Sequence, residues 1–307
     1  MTKRKLNMLN NKIISLNNPF SWLAGNSPTI GLTYSSHSRL SHIMPLINNI
    51  AESFGIPVIP NRYGSLVQIV IGGDGTNIGT VRQMPDLKVP VFGVKGGTYN
   101  AAPMVEEEKV EATLQNFLYA KYSLAKRNLF SIGLPLRSIG EDRYGDLIFG
   151  FAQGRREIRL RVINETVLNY IGDAPLRIEF QEAGFNFRGN GFLLSTALGS
   201  TAENFSYQGI ELDYDDQRFV FTPIAPYRKL DSSSEREAVS QIVNLNERQV
   251  ISLSYLKKSF YVKHGVKLHM DNRSPIFIPR MIKGKELPQI QIPVYKEEPW
   301  RTVIPVN

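Results

Sequence analysis

An apolar run that stops on a cluster of glycines constrains this chain more than any other stretch. Residues Ser65 to Ile71 are short-spanned and rich in Val, Ile and Leu, the pattern of a buried strand. The run gives way to Gly72-Gly73-Asp74-Gly75-Thr76. Glycines at that position let the backbone turn sharply and bring amide N–H groups close to a ligand. In open α/β sheets ligands gather at the carboxyl ends of the strands, where a following helix offers its N-terminus to phosphate. A carboxylate among the glycines repels a bare phosphate. Asp74 therefore reads as a base for a hydroxyl, or as a partner for Mg²⁺ lying between it and the phosphates. An ordinary Asp-Gly turn fits the local pattern equally well.

The neighbouring segments repeat the strand–helix alternation. Thr29 to Thr33 reads as a first strand, and Ser38 to Phe54 as a helix with Leu40, Ile43, Met44, Leu46, Ile47 and Ile50 on one face. A short strand near Pro57 to Pro60 follows, then the strand into Gly72 and a helix from about Thr76. Val89 to Val94 is a second apolar strand ending in glycines, Lys95-Gly96-Gly97-Thr98-Tyr99-Asn100, and Glu106 to Tyr122 has helical character. This predicts an α/β domain over residues 29–125. From Leu129 onward the pattern is short strands between turns, among them Arg159 to Val167, Leu176 to Phe180, Gly191 to Ser195, Arg218 to Pro223 and Val250 to Tyr255. Residues 126–275 are thus expected to be β-rich, with Asp231 to Glu237 as a polar loop. The proline-bearing tail, 276–307, is expected to pack back on the first domain.

Composition narrows the classes. A chain of 307 residues holds one large domain or two medium ones, and 42% hydrophobic with 21% charged residues is ordinary for a globular protein. No window approaches the roughly 18 consecutive apolar residues of a membrane span, so no membrane partner is expected. The absence of cysteine excludes disulfides, thiolate catalysis and sulfur-built zinc sites, and fits a cytoplasmic location. A net charge of +8 favours anionic partners. Without a Lys/Arg stripe interleaved with aromatics, those partners are expected to be small nucleotides and not nucleic acid. No acidic residue precedes Glu52 and the opening Met1-Thr2-Lys3-Arg4-Lys5 is basic, but the segment is Asn-rich and poor in Arg. Residues 1–28 read as a peripheral arm rather than a transit peptide.

Three further stretches bear on the glycine turn. Asn164-Glu165 interrupts an apolar run, and such a pair hydrogen-bonds a ribose or a base edge; the pair Asn246-Glu247 shows how weak the dipeptide is alone. Ser195-Thr196-Ala197-Leu198-Gly199-Ser200-Thr201-Ala202 is small and hydroxyl-rich directly after a strand, which lets a ligand approach the backbone. Thr222-Pro223-Ile224-Ala225-Pro226 is a strand end and turn.

Taken in order, these motifs resemble those of the NAD kinase family, whose fold pairs an α/β domain with a β-rich domain around a shared cleft. The resemblance covers most of the chain after residue 29. It implies a kinase that uses ATP and Mg²⁺ to phosphorylate the 2′-hydroxyl of NAD or NADH, working as a homodimer or homotetramer. It also implies roles: Asp74 as general base, with Gly72, Gly73, Gly75 and Thr76 on phosphates. Asn164 and Glu165 would hold the acceptor's ribose or adenine, and Thr196, Ser200, Thr201 and Ala202 would line the pocket.

The chain departs from the family pattern in places. Thr196-Ala197-Leu198-Gly199 stands where Thr-Pro-Thr-Gly is usual, Glu203 where a tyrosine stacks near the nucleotide, and Asn190 where an aspartate is expected near the nicotinamide, beside a retained Arg188. Gly97-Thr98-Tyr99-Asn100 resembles the Gly-Thr-x-Asn of diacylglycerol and sphingosine kinases, with Asn100 as a candidate nucleotide contact. A lipid kinase of that type is therefore the first alternative, and a non-catalytic dinucleotide-binding module the second. Asp74 weighs against the second, because a sensor has no use for a base there.

Overall fold

The computed structural model describes residues 27–35, 42–96, 104–141, 147–172, 175–227, 239–256, 264–271, 275–279, 281–282, 285–286 and 289–304. The chain divides into two units, Met1–Arg127 with Pro299–Asn307, and Asn128–Glu298. Most of the expected N-terminal arm, the Gly97 to Asn100 turn and the Asp231 to Glu237 loop lie outside the described residues.

The first unit contains β1 (Ile30–Tyr34), α1 (Ile43–Ser53), β2 (Val58–Pro60), β3 (Val67–Gly72), α2 (Asp74–Gln83), β4 (Val91–Lys95), α3 (Val110–Leu118) and β5 (Ser123–Arg127). The chain's last strand, Trp300–Ile304, completes its sheet in the order β2-β1-β3-β4-(Trp300–Ile304)-β5. The first four strands run parallel, and the last strand pairs antiparallel with β5. Every residue of β3 is buried, as a central parallel strand covered on both faces must be. Its one polar side chain, Gln68, is satisfied: its amide donates to Thr33 Oγ1 at 2.9 Å and accepts from the Gly64 N–H at 3.1 Å. Helices α1 and α3 bury Ile43, Ile47, Ile50 and Val110, Leu114, Phe117 against β1, β3 and β4 in one core.

Helix ends explain where the sequence reading ran long. After α1, Gly55 adopts φ 69° and its N–H reaches the Glu52 carbonyl while that of Ile56 reaches Ala51. After α3, Ala120 adopts φ 59°, with its N–H on Phe117 and that of Lys121 on Asn116. Both are left-handed stops with paired 5→2 and 6→1 hydrogen bonds. The helical stretch expected to run from Glu106 to Tyr122 is therefore a 3₁₀ turn at Glu107–Lys109 and then α3.

The second unit contains β6 (Phe130–Glu141), β7 (Leu147–Phe151), β8 (Glu157–Val162), β9 (Glu165–Ile171), β10 (Leu176–Phe180), β11 (Phe185–Gly189), β12 (Gly191–Ser195), α4 (Glu203–Ser206), β13 (Phe219–Ile224), β14 (Gln241–Val243), β15 (Gln249–Tyr255), β16 (Gly265–Met270), β17 (Ile276–Pro279), the short β18 (Met281–Ile282) and β19 (Lys285–Glu286), and β20 (Gln289–Lys296). The closing strand of the first unit is β21 (Trp300–Ile304). Two antiparallel sheets form, β11-β10-β15-β20-β6-β7 with β8 also on β6, and β14-β13-β12-β9-β16-β17. They share one core: Phe130 of the first meets Phe219 of the second edge to face at 5.8 Å, and Phe180 meets Phe221 at 5.6 Å. Period-two burial on β10 and β15 keeps Leu176, Ile178, Phe180, Ile251 and Leu253 inward.

The architecture is an α/β domain followed by a β-rich one, as the strand–helix pattern predicts. The sequence expectation placed all of 276–307 against the first domain. Strands β17 and β20 instead pair within the second unit, with β16 and with β15 and β6, and β21 returns to the first sheet. Hydrophobic β20 reads as tail because its Pro293 masks a strand pattern that its neighbours supply with partners. The single strand expected over Arg159 to Val167 is two, broken at Ile163-Asn164.

Candidate active-site elements

In the first unit, β3 ends at Gly72 and α2 begins at Asp74, two residues before the expected start at Thr76. Gly73 caps the helix in an extended conformation, with φ −90° and ψ −173° and no side-chain cap. Asp74 is the first helical residue, where a negative side chain is favoured by the helix dipole. It is half-buried. The two strand ends touch: Gly96 N–H donates to the Gly72 carbonyl at 2.9 Å, and a Cβ on Gly96 would lie 3.0 Å from the Gly72 Cα. A Cβ on Gly72 would meet Thr76 Oγ1 at 2.6 Å, whereas one on Gly75 would meet nothing within 4 Å. Gly72 is thus demanded by packing, and Gly75 leaves open space at the helix start. Asn77, one turn into α2, is 1% exposed, and neither atom of its amide finds a hydrogen-bond partner among the described residues.

In the second unit the break between β8 and β9 is a corner made of Ile163 and Asn164. The Thr196 N–H donates to the Asn164 carbonyl at 2.8 Å and Thr196 Oγ1 to that of Ile163 at 2.7 Å. Glu165, the first residue of β9, lies opposite Ser195, the last of β12. The structure therefore brings the Asn164-Glu165 pair onto the Thr196 to Ala202 loop. Gly199 is the point of contact: a Cβ there would come within 2.1 Å of the Asn164 carbonyl oxygen and 2.8 Å of Glu165 Oε2.

Two hydroxyls of that loop, Thr196 and Ser200, which the resemblance places along the pocket, bond backbone groups instead. Thr196 Oγ1 also accepts the Gly199 N–H at 3.1 Å, and buried Ser200 Oγ donates to the Ala197 carbonyl at 2.7 Å and accepts the Leu212 N–H at 2.9 Å. These two shape the loop. Thr201, Ala202 and Glu203 are partly or fully exposed. Behind the loop, buried Asn204 donates to the Ser200 and Ile210 carbonyls and accepts from Thr222 Oγ1 at 2.6 Å, so the Thr222 to Pro226 stretch supports the loop.

Glu165 is 5% exposed and its Oε2 is buried with no hydrogen-bond partner, as are Asn164 Oδ1 and Ser195 Oγ. Burial, then the charges of Asp271 and Glu203, push the Glu165 carboxyl up to about 8, which favours its neutral form. Orphaned buried polar atoms typically cost about 1–3 kcal/mol each, so the corner carries hydrogen-bonding capacity that the described residues leave unused.

Arg188 and Asn190 are not brought to this corner. Asn190 sits in the turn between β11 and β12, its N–H on the Ile224 carbonyl at 3.0 Å, and β12 pairs Gly191 with Asn169 at that end but Ser195 with Glu165 at the other. Four residue steps separate the two ends, roughly 13 Å at the rise of a strand. Arg188 lies directly across β10–β11 from Arg177. Asn100 lies outside the described residues. Sequence reasoning passed over Asp271, Asn204 and Asn77, whose partners, or lack of them, depend on distant segments.

Residues 56–122 match the ATP-NAD kinase N-terminal domain family. The chain is 30% identical over 234 residues to an NAD kinase of Treponema denticola, an alignment covering 71% of this chain and 77% of that one. The chain belongs to the NAD kinase family. Its fold is also that of two solved structures. The yeast NADH kinase complexed with NADH matches with a TM-score of 0.63 at 17% identity, over 92% of this chain and 85% of that one. An Archaeoglobus fulgidus NAD kinase in complex with ATP matches at 0.56 and 16%, over 91% and 94%.

Proposed function

We propose that the chain transfers the terminal phosphoryl group of ATP to the 2′-hydroxyl of NAD or NADH, giving NADP(H). The observation that carries the reading is the start of α2. A glycine turn at the carboxyl end of a central parallel strand leads into a helix whose first residue is a carboxylate. In this reading Asp74 takes the proton of the acceptor hydroxyl, and the backbone at Gly72, Gly73, Gly75 and Thr76 orients phosphates. Asn164 and Glu165 hydrogen-bond the acceptor, Glu165 as a neutral acid able to donate as well as accept. Thr201, Ala202 and Glu203 supply the exposed rim of the pocket, shaped from within by Thr196 and Ser200. Arg188 and Asn190, at the far end of β12, and Asn100 would contact a part of the nucleotide away from the corner.

Among the described residues, no group of three or more His, Asp or Glu side chains could hold a metal ion by itself. In this reading Mg²⁺ would be held chiefly by the ATP phosphates, beside the glycine turn, and would shield the triphosphate charge. The reading includes a homodimer or homotetramer acting in the cytoplasm. No described helix is long and apolar enough to cross a membrane, and the lipid-kinase alternative rests on the Gly97 to Asn100 motif alone.

The acceptor atom is tested with 2′-deoxy-NAD. The analogue should inhibit competitively against NAD and yield no phosphorylated product. Phosphorylation of the analogue would move the reaction to another hydroxyl.

A further inference from the structure

The corner that presents Asn164 and Glu165 is held from two sides, and only one of them is the Thr196 loop. The other is Asp271, which directly follows β16, is 7% exposed and has φ 45°. Its Oδ2 accepts the Ile163 N–H at 2.8 Å, its Oδ1 accepts the Asn164 N–H at 2.7 Å, and its own N–H donates to the Glu165 carbonyl at 3.2 Å. With the Thr196 bonds to the carbonyls of Ile163 and Asn164, five of the six backbone groups of residues 163–165 are matched by two side chains and two amides. What remains unmatched is side chain: Asn164 Oδ1 and Glu165 Oε2. A non-glycine residue in left-handed backbone persists where its surroundings hold it there.

We propose that Asp271 is a positioning residue for the dinucleotide, clamping the Ile163-Asn164 corner so that the Asn164 and Glu165 side chains face the acceptor in one arrangement. The inference deepens the acceptor assignment made above and rests on it. The same carboxylate acts on Glu165 through charge. After burial, Asp271 is the largest influence raising the Glu165 carboxyl, followed by Glu203 on α4. Among the described residues, His269 on β16 is itself influenced by the charges of Lys267 and Glu203, and on the partner strand β12 Ser195 lies opposite Glu165. A residue that only filled space would not couple the corner's shape to the protonation of its acid.

Asp271→Asn is the variant of choice, because Asn tolerates left-handed backbone while losing the charge and one acceptor oxygen. Three readouts are taken: amide exchange at Ile163 and Asn164, KM for NAD(H) against KM for ATP, and the dependence of the NAD(H) KM on pH. The expected result is exchange at both amides at least tenfold faster, and an NAD(H) KM raised at least tenfold with the ATP KM within twofold. The pH midpoint of the NAD(H) KM should also move to lower pH. A folded variant with unchanged NAD(H) KM, or with unchanged exchange at the two amides, overturns the inference. So does a variant that loses active fraction and thermal midpoint while both KM values and the pH midpoint stay in place.

If D271N does not fold, the wild type decides. Saturating NAD should further protect the Ile163 and Asn164 amides while ATP alone does not, and no gain with NAD overturns the clamp. A wild type that neither binds nor phosphorylates either dinucleotide overturns the functional reading itself, an outcome separate from normal NAD kinetics in D271N.

Discussion

Gly199 and Asn164 are in such close contact that a side chain on the glycine cannot be accommodated: its Cβ would stand 2.1 Å from the Asn164 carbonyl oxygen. Neither residue can shift alone, since Asn164 is tied to Thr196 and Asp271, and Gly199 donates to Thr196 Oγ1. Gly199→Ala should therefore push the loop off the corner. The expected outcome is a stability loss of about 1–3 kcal/mol, typical of overpacking, with an NAD(H) KM raised more than tenfold. Denaturant unfolding and steady-state kinetics check it; an NAD(H) KM within twofold of wild type would contradict it.

Glu165 gives the protein a pH signature. Burial first, then Asp271 and Glu203, raise its carboxyl from an ordinary 4.5 to about 8. Between those values the unfolded chain releases a proton that the folded chain keeps, so this group's contribution to stability is full below about 4.5 and lost as pH rises through about 8. Glu165→Gln, which mimics the neutral acid, should flatten the fall in thermal midpoint across that window. Parallel curves for the two proteins would show that Glu165 ionises normally.

Asp74→Asn removes the base while leaving the helix start in place, since that start rests on the backbone of Gly73 with no side-chain cap. Turnover should fall by about 10²–10⁴-fold, the usual worth of a positioned base, while KM for both substrates changes only a few-fold. Single-turnover phosphoryl transfer measures this, and near wild-type rates would remove Asp74 from the mechanism.

Two Asn-Glu pairs in the sequence invite a controlled comparison. Glu165 is buried at the corner, whereas Glu247 is exposed just before β15. Glu165→Ala should raise the NAD(H) KM far more than the ATP KM, and Glu247→Ala should alter neither. Indistinguishable kinetics for the two variants would undo the assignment of the pair.

That contrast also shows how far the sequence could be read. Strands with strong alternation or full burial, such as Leu176–Phe180 and Gly191–Ser195, have the bounds that their pattern predicts. The glycine turn into α2 falls where the pattern puts it, although the helix begins at Asp74, two residues before the expected start. Helix ends were less legible: nothing marks Ala120 as a left-handed stop until the hydrogen bonds from Ala120 and Lys121 are seen. The corner's supports were not legible at all. Asp271 reads as an ordinary turn residue, and its meaning comes from amides 107 and 108 positions away. Asn204 likewise gains its role from Thr222 and Ile210. Long-range polar satisfaction leaves no periodicity behind, so the resemblance that put Thr196 and Ser200 on a pocket could not show that their hydroxyls bond the backbone of the loop and corner.

The most direct measurement is incubation of the purified protein with MgATP and NAD, and separately NADH, followed by chromatography for NADP(H) and ADP. The account predicts NADP(H) and ADP in equal amounts from the wild type, and at least a hundredfold less from D74N in the same time, as loss of a general base requires. ADP without NADP(H) from either dinucleotide, or product formed only when a lipid alcohol is supplied, would contradict it.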